Sequence, residues 1–147
     1  MQGTVDLKGL KVAVVVARWN ELVTKALTEG AVEALESCGA DVVVAKVAGA
    51  WEIPVVARAF VMCERYAGVV ALGCILQGAT SHAAMLASDV SDALMRLQME
   101  TGVPVSWGVL TPENQDQALE RAGMKLGNKG REAALALAET IGLLRSV

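Results

Sequence analysis

Four near-continuous apolar runs, Val12 to Ala17, Val42 to Val47, Val69 to Cys74 and Val103 to Leu110, alternate with longer stretches of helical periodicity. Runs so rich in Val fit strands covered on both faces of a parallel sheet, whose neighbours need long crossover connections. The first connection carries Leu22, Val23, Ala26, Leu27, Gly30, Ala31, Ala34 and Leu35 on one stripe and stops at Gly39. A second helix is expected from about Pro54 to Tyr66, with Pro54 in its first turn, and a third from Ser81 to Thr101, stopped by Gly102. Thr111, Pro112 and Glu113 read as N-cap, first-turn proline and dipole-matched acid of a fourth helix reaching about Ala122. Gly127 to Gly130 then opens a terminal helix, Arg131 to about Leu144. The order β-α-β-α-β-α-β-α-α predicts an α/β fold. It is a three-layer α/β/α sandwich on a four-stranded parallel sheet with right-handed crossovers, one domain over residues 1–147.

Hydrophobic residues make up 54% of the chain and aromatics only 3%, so the apolar mass is Ala, Val and Leu. Mean hydropathy is +0.44, high for a monomer, yet no run is long enough to cross a bilayer and MQGTVDLKGL lacks a secretory apolar core. The surplus apolar surface is expected to meet other subunits, above all along the second and last helices, which carry few charges. A net charge of −3 without a Lys/Arg cluster excludes the nucleic-acid footprint. Cys38, Cys63 and Cys74 are odd in number and show no C-x-x-C spacing, which points to a reducing cytoplasm and small buried thiols.

The chemistry concentrates in Val69 to His82, VVALGCILQGATSH. A buried strand passing through a small-residue loop into a helix N-terminus makes an anion site, because unpaired backbone N–H groups and the helix dipole face the ligand. The only histidine, His82, sits at its rim and adds a proton-transfer group. In open α/β sheets the ligand crevice lies beyond the carboxyl ends of the strands. The segments after each strand are Arg18-Trp19-Asn20, Ala48 to Glu52, Ile75 to His82 and Thr111-Pro112. Together they bring an aromatic face, a carboxylate, an anion loop and an imidazole to one edge. Taken singly each has a plainer reading: Gly78 and Thr80 as turn and cap residues, Trp19 and Trp107 as core or interface aromatics, Glu52 as a first-turn acid, Arg121 and Lys129 as solvated charges.

The blocks ARWN (17–20), GAWEIP (49–54), ALGC-I-x-G-A-T-x-H (71–82), GVLT (108–111) and ERAG-x-K-x-GNKG-x-EAA (120–134) occur in register along essentially the whole chain. In this order they resemble the lumazine synthase family. The resemblance implies a flavodoxin-like fold, and condensation of 5-amino-6-(D-ribitylamino)pyrimidine-2,4-dione with 3,4-dihydroxy-2-butanone 4-phosphate, releasing phosphate and water. It implies no metal or cofactor, and pentamers or an icosahedral shell with pockets shared between subunits. Trp19 would stack on the pyrimidine where the family usually has Phe. Ala50, Trp51 and Glu52 would hold the ribityl chain, and backbone groups at Cys74, Ile75 and Leu76 would read the ring edge. Gly78, Ala79, Thr80 and Arg121 would bind phosphate. His82 would move protons, Trp107 would reach a neighbouring subunit's pocket, and Lys129 would lie near the site.

Three departures stand out. Gln77 stands where the family usually carries Arg or Lys. Ala83, Ala84 and Met85 replace an aromatic-acid-aromatic turn whose carboxylate would orient the imidazole. The link after Cys38 is short, with Gly39-Ala40 leading straight into the next strand. These departures keep an alternative open, a non-catalytic or engineered lumazine-synthase-like scaffold or shell subunit.

Overall fold

The computed structural model describes residues 1–78, 82–124 and 126–147. Its central sheet is parallel and four-stranded, in the order β2-β1-β3-β4: β1 Lys11–Ala17, β2 Asp41–Val47, β3 Gly68–Cys74 and β4 Val105–Leu110. Helix α1 (Glu21–Ser37) joins β1 to β2, α2 (Ile53–Met62) joins β2 to β3, and α3 (His82–Thr101) joins β3 to β4. A short α4 (Gln115–Glu120) and α5 (Lys129–Ser146) follow. The side-chain period of a strand splits the core in two. Val12, Val14 and Val16 with Val70 and Leu72 pack under α1 and α5, whereas Ala13, Val15, Ala17, Val69 and Ala71 pack under α2 and α3. The expected α/β/α sandwich on four parallel strands is what the chain forms.

The central strands β1 and β3 are buried as their apolar runs require, but the expected burial of all four runs fails along β2 and is only partial in the first half of β4. Val43 and Val44, on opposite faces of the edge strand β2, are both exposed. Strand β4 begins at Val105, not Val103, since Pro104 has no N–H to give a ladder. Helix α2 ends at Met62, short of Tyr66: Glu64 turns left-handed at φ 62, and Tyr66 instead packs edge-on against Phe60, centroids 4.9 Å apart. A turn of 3₁₀ helix, Ala50–Glu52, precedes it.

Thr111 is not the cap of α4. Asn114 is, its side chain accepting from Gln117 N–H at 2.9 Å, which leaves Thr111 and Pro112 in the loop above β4. Helix α5 starts two residues before the expected Arg131, capped by Asn128, which accepts from Arg131 N–H at 3.0 Å. A small antiparallel ladder, β5 (Ala122–Met124) with β6 (Gly127–Asn128), was not anticipated in the sequence.

The low charge of α5 serves the inside of the chain. Gly130, Ala133, Ala134, Leu137, Ala138 and Ile141 are buried on its inner face, against the expectation that this helix reserves its apolar surface for neighbours. Small residues let α5 approach α1 so closely that a Cβ at Gly130 would run into the backbone of Leu27. Helix α2, by contrast, leaves Val55 and Met62 exposed. Among the described residues, no helix is long and apolar enough to cross a membrane. Cys74 is buried as expected, whereas Cys38 and Cys63 are only half-buried and all three thiols are free.

Gly130→Ala should lower stability by about 1–3 kcal/mol, the usual cost of forcing a methyl into a packed contact. The midpoint of urea unfolding followed by circular dichroism measures this, and an unshifted midpoint would mean the α1–α5 contact yields easily.

Candidate active site at the carboxyl edge of the sheet

The parallel ladder continues past the strands themselves. Arg18 N–H donates to the Val47 carbonyl at 2.9 Å, and Ile75 N–H to the Leu110 carbonyl at 2.8 Å. The loops after β1, β2, β3 and β4 therefore leave the sheet at related heights along one edge.

The first loop meets the second over Gly49. A Cβ added there would lie 3.1 Å from Trp19 Cδ1 and 3.3 Å from Glu52 Oε1, so an unsubstituted backbone leaves room for indole and carboxylate side by side. Trp19 is 71% exposed, an unfavourable position for an indole unless something stacks on it. Ala50 is buried, Glu52 is half-buried, and Trp51 is 67% exposed. Trp51 and Glu52 also line a groove of about 350 Å³ with Pro54, Val55, Asp89 and Val90, between the start of α2 and the middle of α3.

The first loop also meets the third. Asn20 sits left-handed at φ 63 just before α1, and its side-chain N–H₂ donates not to its own helix but to the Cys74 carbonyl at 3.2 Å. Cys74 and Ile75 are buried, and Leu76 is 38% exposed. Burial pushes the Cys74 thiol up to about 11, so it stays a neutral packing group. Gly78 is exposed at φ 49, where a residue with a Cβ would be strained, and His82 is exposed at the start of α3. The expected phosphate ligands Ala79 and Thr80 lie outside the described residues.

Arg121 and Lys129 are brought together by the backbone. Arg121 caps the C-terminus of α4, and its carbonyl accepts from Lys129 N–H at 2.7 Å. Arg121 is exposed and Lys129 half-buried.

Trp107 lies elsewhere. It pairs in register with Ala71, and Ala71 with Val15, so it stands level with the middle of β1, packed toward α3 beside Leu94, Met95 and Gln98. Along the strand it is about 13 Å below the level of Trp19. One chain does not unite the two indoles.

Sequence reasoning missed Asn20 and Gln77 as structural ties. An asparagine between an aromatic and a helix start was the available signal for the first. Gln77 stood out only as a lost charge. Among the described residues, no three His, Cys, Asp or Glu side chains gather as a metal site would require.

A flavodoxin-like sandwich with its polar and aromatic loops gathered at the carboxyl edge defines an α/β protein whose candidate site lies at that edge. The chain matches the pattern of the family described as 6,7-dimethyl-8-ribityllumazine synthase over residues 9–145. It is also 39% identical, over 99% of its length and 97% of the relative's, to a protein of Syntrophus aciditrophicus (strain SB) named 6,7-dimethyl-8-ribityllumazine synthase. The chain belongs to the 6,7-dimethyl-8-ribityllumazine synthase family. That membership favours a riboflavin-biosynthesis enzyme over the scaffold alternative.

Outside the crevice, the Cys63 thiol is lowered by the Arg65 backbone N–H, against the opposing effect of burial, with further help from the Arg65 guanidinium. A lowered thiol holds more thiolate at any pH below its ordinary value, and a raised one holds less. Iodoacetamide should therefore label Cys63 well before Cys74 in the folded protein, and Cys74 only on unfolding. Peptide mass mapping reads the order, and early labelling of Cys74 would contradict its burial.

Proposed function

We propose that this chain, acting as one domain over residues 1–147, condenses 5-amino-6-(D-ribitylamino)pyrimidine-2,4-dione with 3,4-dihydroxy-2-butanone 4-phosphate to 6,7-dimethyl-8-ribityllumazine. The observation that carries the reading is the meeting of Trp19 and Glu52 over Gly49 at the carboxyl edge of a chain of this family. An exposed indole offers a flat face to a pyrimidine, and a carboxylate beside it accepts hydrogen bonds from a ribityl chain. Ala50 and Trp51 flank that chain, and the backbone at Cys74, Ile75 and Leu76 reads the edge of the ring.

Joining the ring amine to the ketone expels one water, phosphate is then eliminated, and closing the second ring onto the ribitylamine nitrogen expels a second water. These steps move protons, and His82 is the side chain assigned to them. Phosphate falls to the loop Gly78-Ala79-Thr80 and to Arg121, whose planar guanidinium matches two phosphate oxygens at once. Lys129, tied by its backbone to Arg121, adds positive charge nearby. Most of the acceleration comes from holding two reactants together in one crevice, the residual part from proton transfer.

The working unit is a pentamer, able to close further into an icosahedral shell, in which Trp107 completes the pocket of an adjacent copy. The separation of Trp107 from Trp19 within one chain supports this. The cytoplasm is the compartment the reading assigns, in keeping with three free thiols.

The purified protein mixed with both substrates should develop the lumazine chromophore. His82→Ala should lower kcat by roughly 10²-fold. Arg121→Ala should raise KM for the phosphate-bearing substrate by about tenfold or more, the value of one charge-assisted contact, with little effect on the pyrimidine. A folded, assembled protein that makes no product would overturn the reading in favour of a scaffold. An unchanged KM in Arg121→Ala would remove Arg121 from the phosphate site.

A further inference from the structure

The segment leaving β3 is fastened from both sides. Toward β1, its Cys74 carbonyl accepts from Asn20 Nδ2 at 3.2 Å. Toward β4, Gln77 N–H donates to the Pro112 carbonyl at 2.9 Å and Gln77 Nε2 to the Thr111 carbonyl at 2.8 Å. Both acceptors belong to a Thr-Pro step whose ring restricts the local backbone, so they form a stiff pair. Gln77 thus donates through backbone and side chain to one neighbouring loop, and the next residue is Gly78 at φ 49.

The side-chain bond needs an explanation because Gln77 is exposed. A glutamine in water gives up rotamer freedom to hold one geometry, and the net gain of such a bond is small. A long side chain that nevertheless closes back on a backbone carbonyl fixes the relative position of the two loops it joins. The amide nitrogen is committed there, and a carboxamide carries no charge.

We propose that Gln77 is a positioning residue for the phosphate-bearing substrate, its carboxamide clamping the β3 exit to the β4 exit and so setting where the Gly78 backbone meets the crevice. The proposal rests on the synthase reading above. It makes Gln77 a strut that acts by geometry, at a position where the resemblance leads one to expect a cation acting by charge.

The test compares Gln77→Met, which keeps length and neutrality but removes the donor, with Gln77→Arg, which supplies a donor again. Gln77→Met should speed amide hydrogen exchange at position 77 by about fivefold, the fold-change of one modest hydrogen bond. It should raise KM for the phosphate-bearing substrate by a similar factor while KM for the pyrimidine and kcat change less than twofold. Gln77→Arg should recover slow exchange and the lower KM. Unchanged exchange and kinetics in Gln77→Met would overturn the proposal. So would equal losses for both substrates with a lowered Tm, which mark general destabilisation. If the unaltered protein makes no product, the synthase reading fails by itself. The clamp is then judged by exchange at position 77 together with calorimetric titration of inorganic phosphate. Weaker phosphate binding in Gln77→Met upholds it, and equal binding overturns it.

Discussion

The parallel register of four strands is the constraint on which the rest of the molecule depends. Val14 pairs with Val44 on one side and Val70 on the other, and Val70 pairs with Ser106, so one row of residues crosses the whole sheet. A slip of one residue would exchange the two faces of the slipped strand, sending the side chains that fit under α1 and α5 to the side of α2 and α3. The two-sided burial of β1 and β3 forbids that, since Val12 to Val16 are packed under helices on alternate faces. Once the register is fixed, so are the heights at which the loops leave. The hydrogen bonds from Arg18 and Ile75 extend the ladder into those loops. The crevice is thus a consequence of sheet alignment before any catalytic residue is considered.

A second constraint works from behind the sheet. Asn128 accepts from Arg131 N–H, capping α5, and its side-chain N–H₂ donates to the Ala26 carbonyl in α1 at 3.0 Å. One side chain therefore starts a helix and docks it on another. Gly30 lies beneath that amide, where a Cβ would collide with Asn128. The residue after Asn128 is Lys129, whose N–H holds the Arg121 carbonyl. Arg121, the cation proposed for phosphate, and its backbone partner Lys129 thus sit next to the same small-residue contact that packs α1 on α5.

What the sequence made legible follows from this division. Long apolar runs with one dominant period announce strands and their burial, and the four strands and α1, α3 and α5 are read within a few residues. Helix ends were read less well where several signals compete. Thr111-Pro112 resembles a helix start, but Asn114, a better cap three residues after Thr111, takes the role and leaves the pair free to receive Gln77. Tyr66 looked helical by continuity, but Glu64 turned left-handed and sent the ring back onto Phe60. The residues of the crevice were read from blocks of sequence and topology, which fix the edge on which they lie. Ties such as Asn20 to Cys74 span 54 residues and depend on a side-chain direction that no local pattern encodes.

The geometry of the two tryptophans limits how a pocket can be completed. Trp19 stands above the carboxyl end of β1. Trp107 lies level with Val15, on an edge strand two steps across the sheet. At roughly 3.3 Å per residue and 4.8 Å per strand, that is about 13 Å down and 10 Å across. An indole is too short to bridge such a distance, and the intervening strands are packed under α2 and α3. If both rings serve one pocket, they come from different copies of the chain. The first turn of α3 fits the same arrangement. Ala83 is buried within the chain, while Ala84 is exposed and Met85 is 58% exposed, so the residues that replace an acid and an aromatic face outward. No carboxylate stands in that turn beside His82, so the start of α3 presents an imidazole, a methyl and a thioether outward.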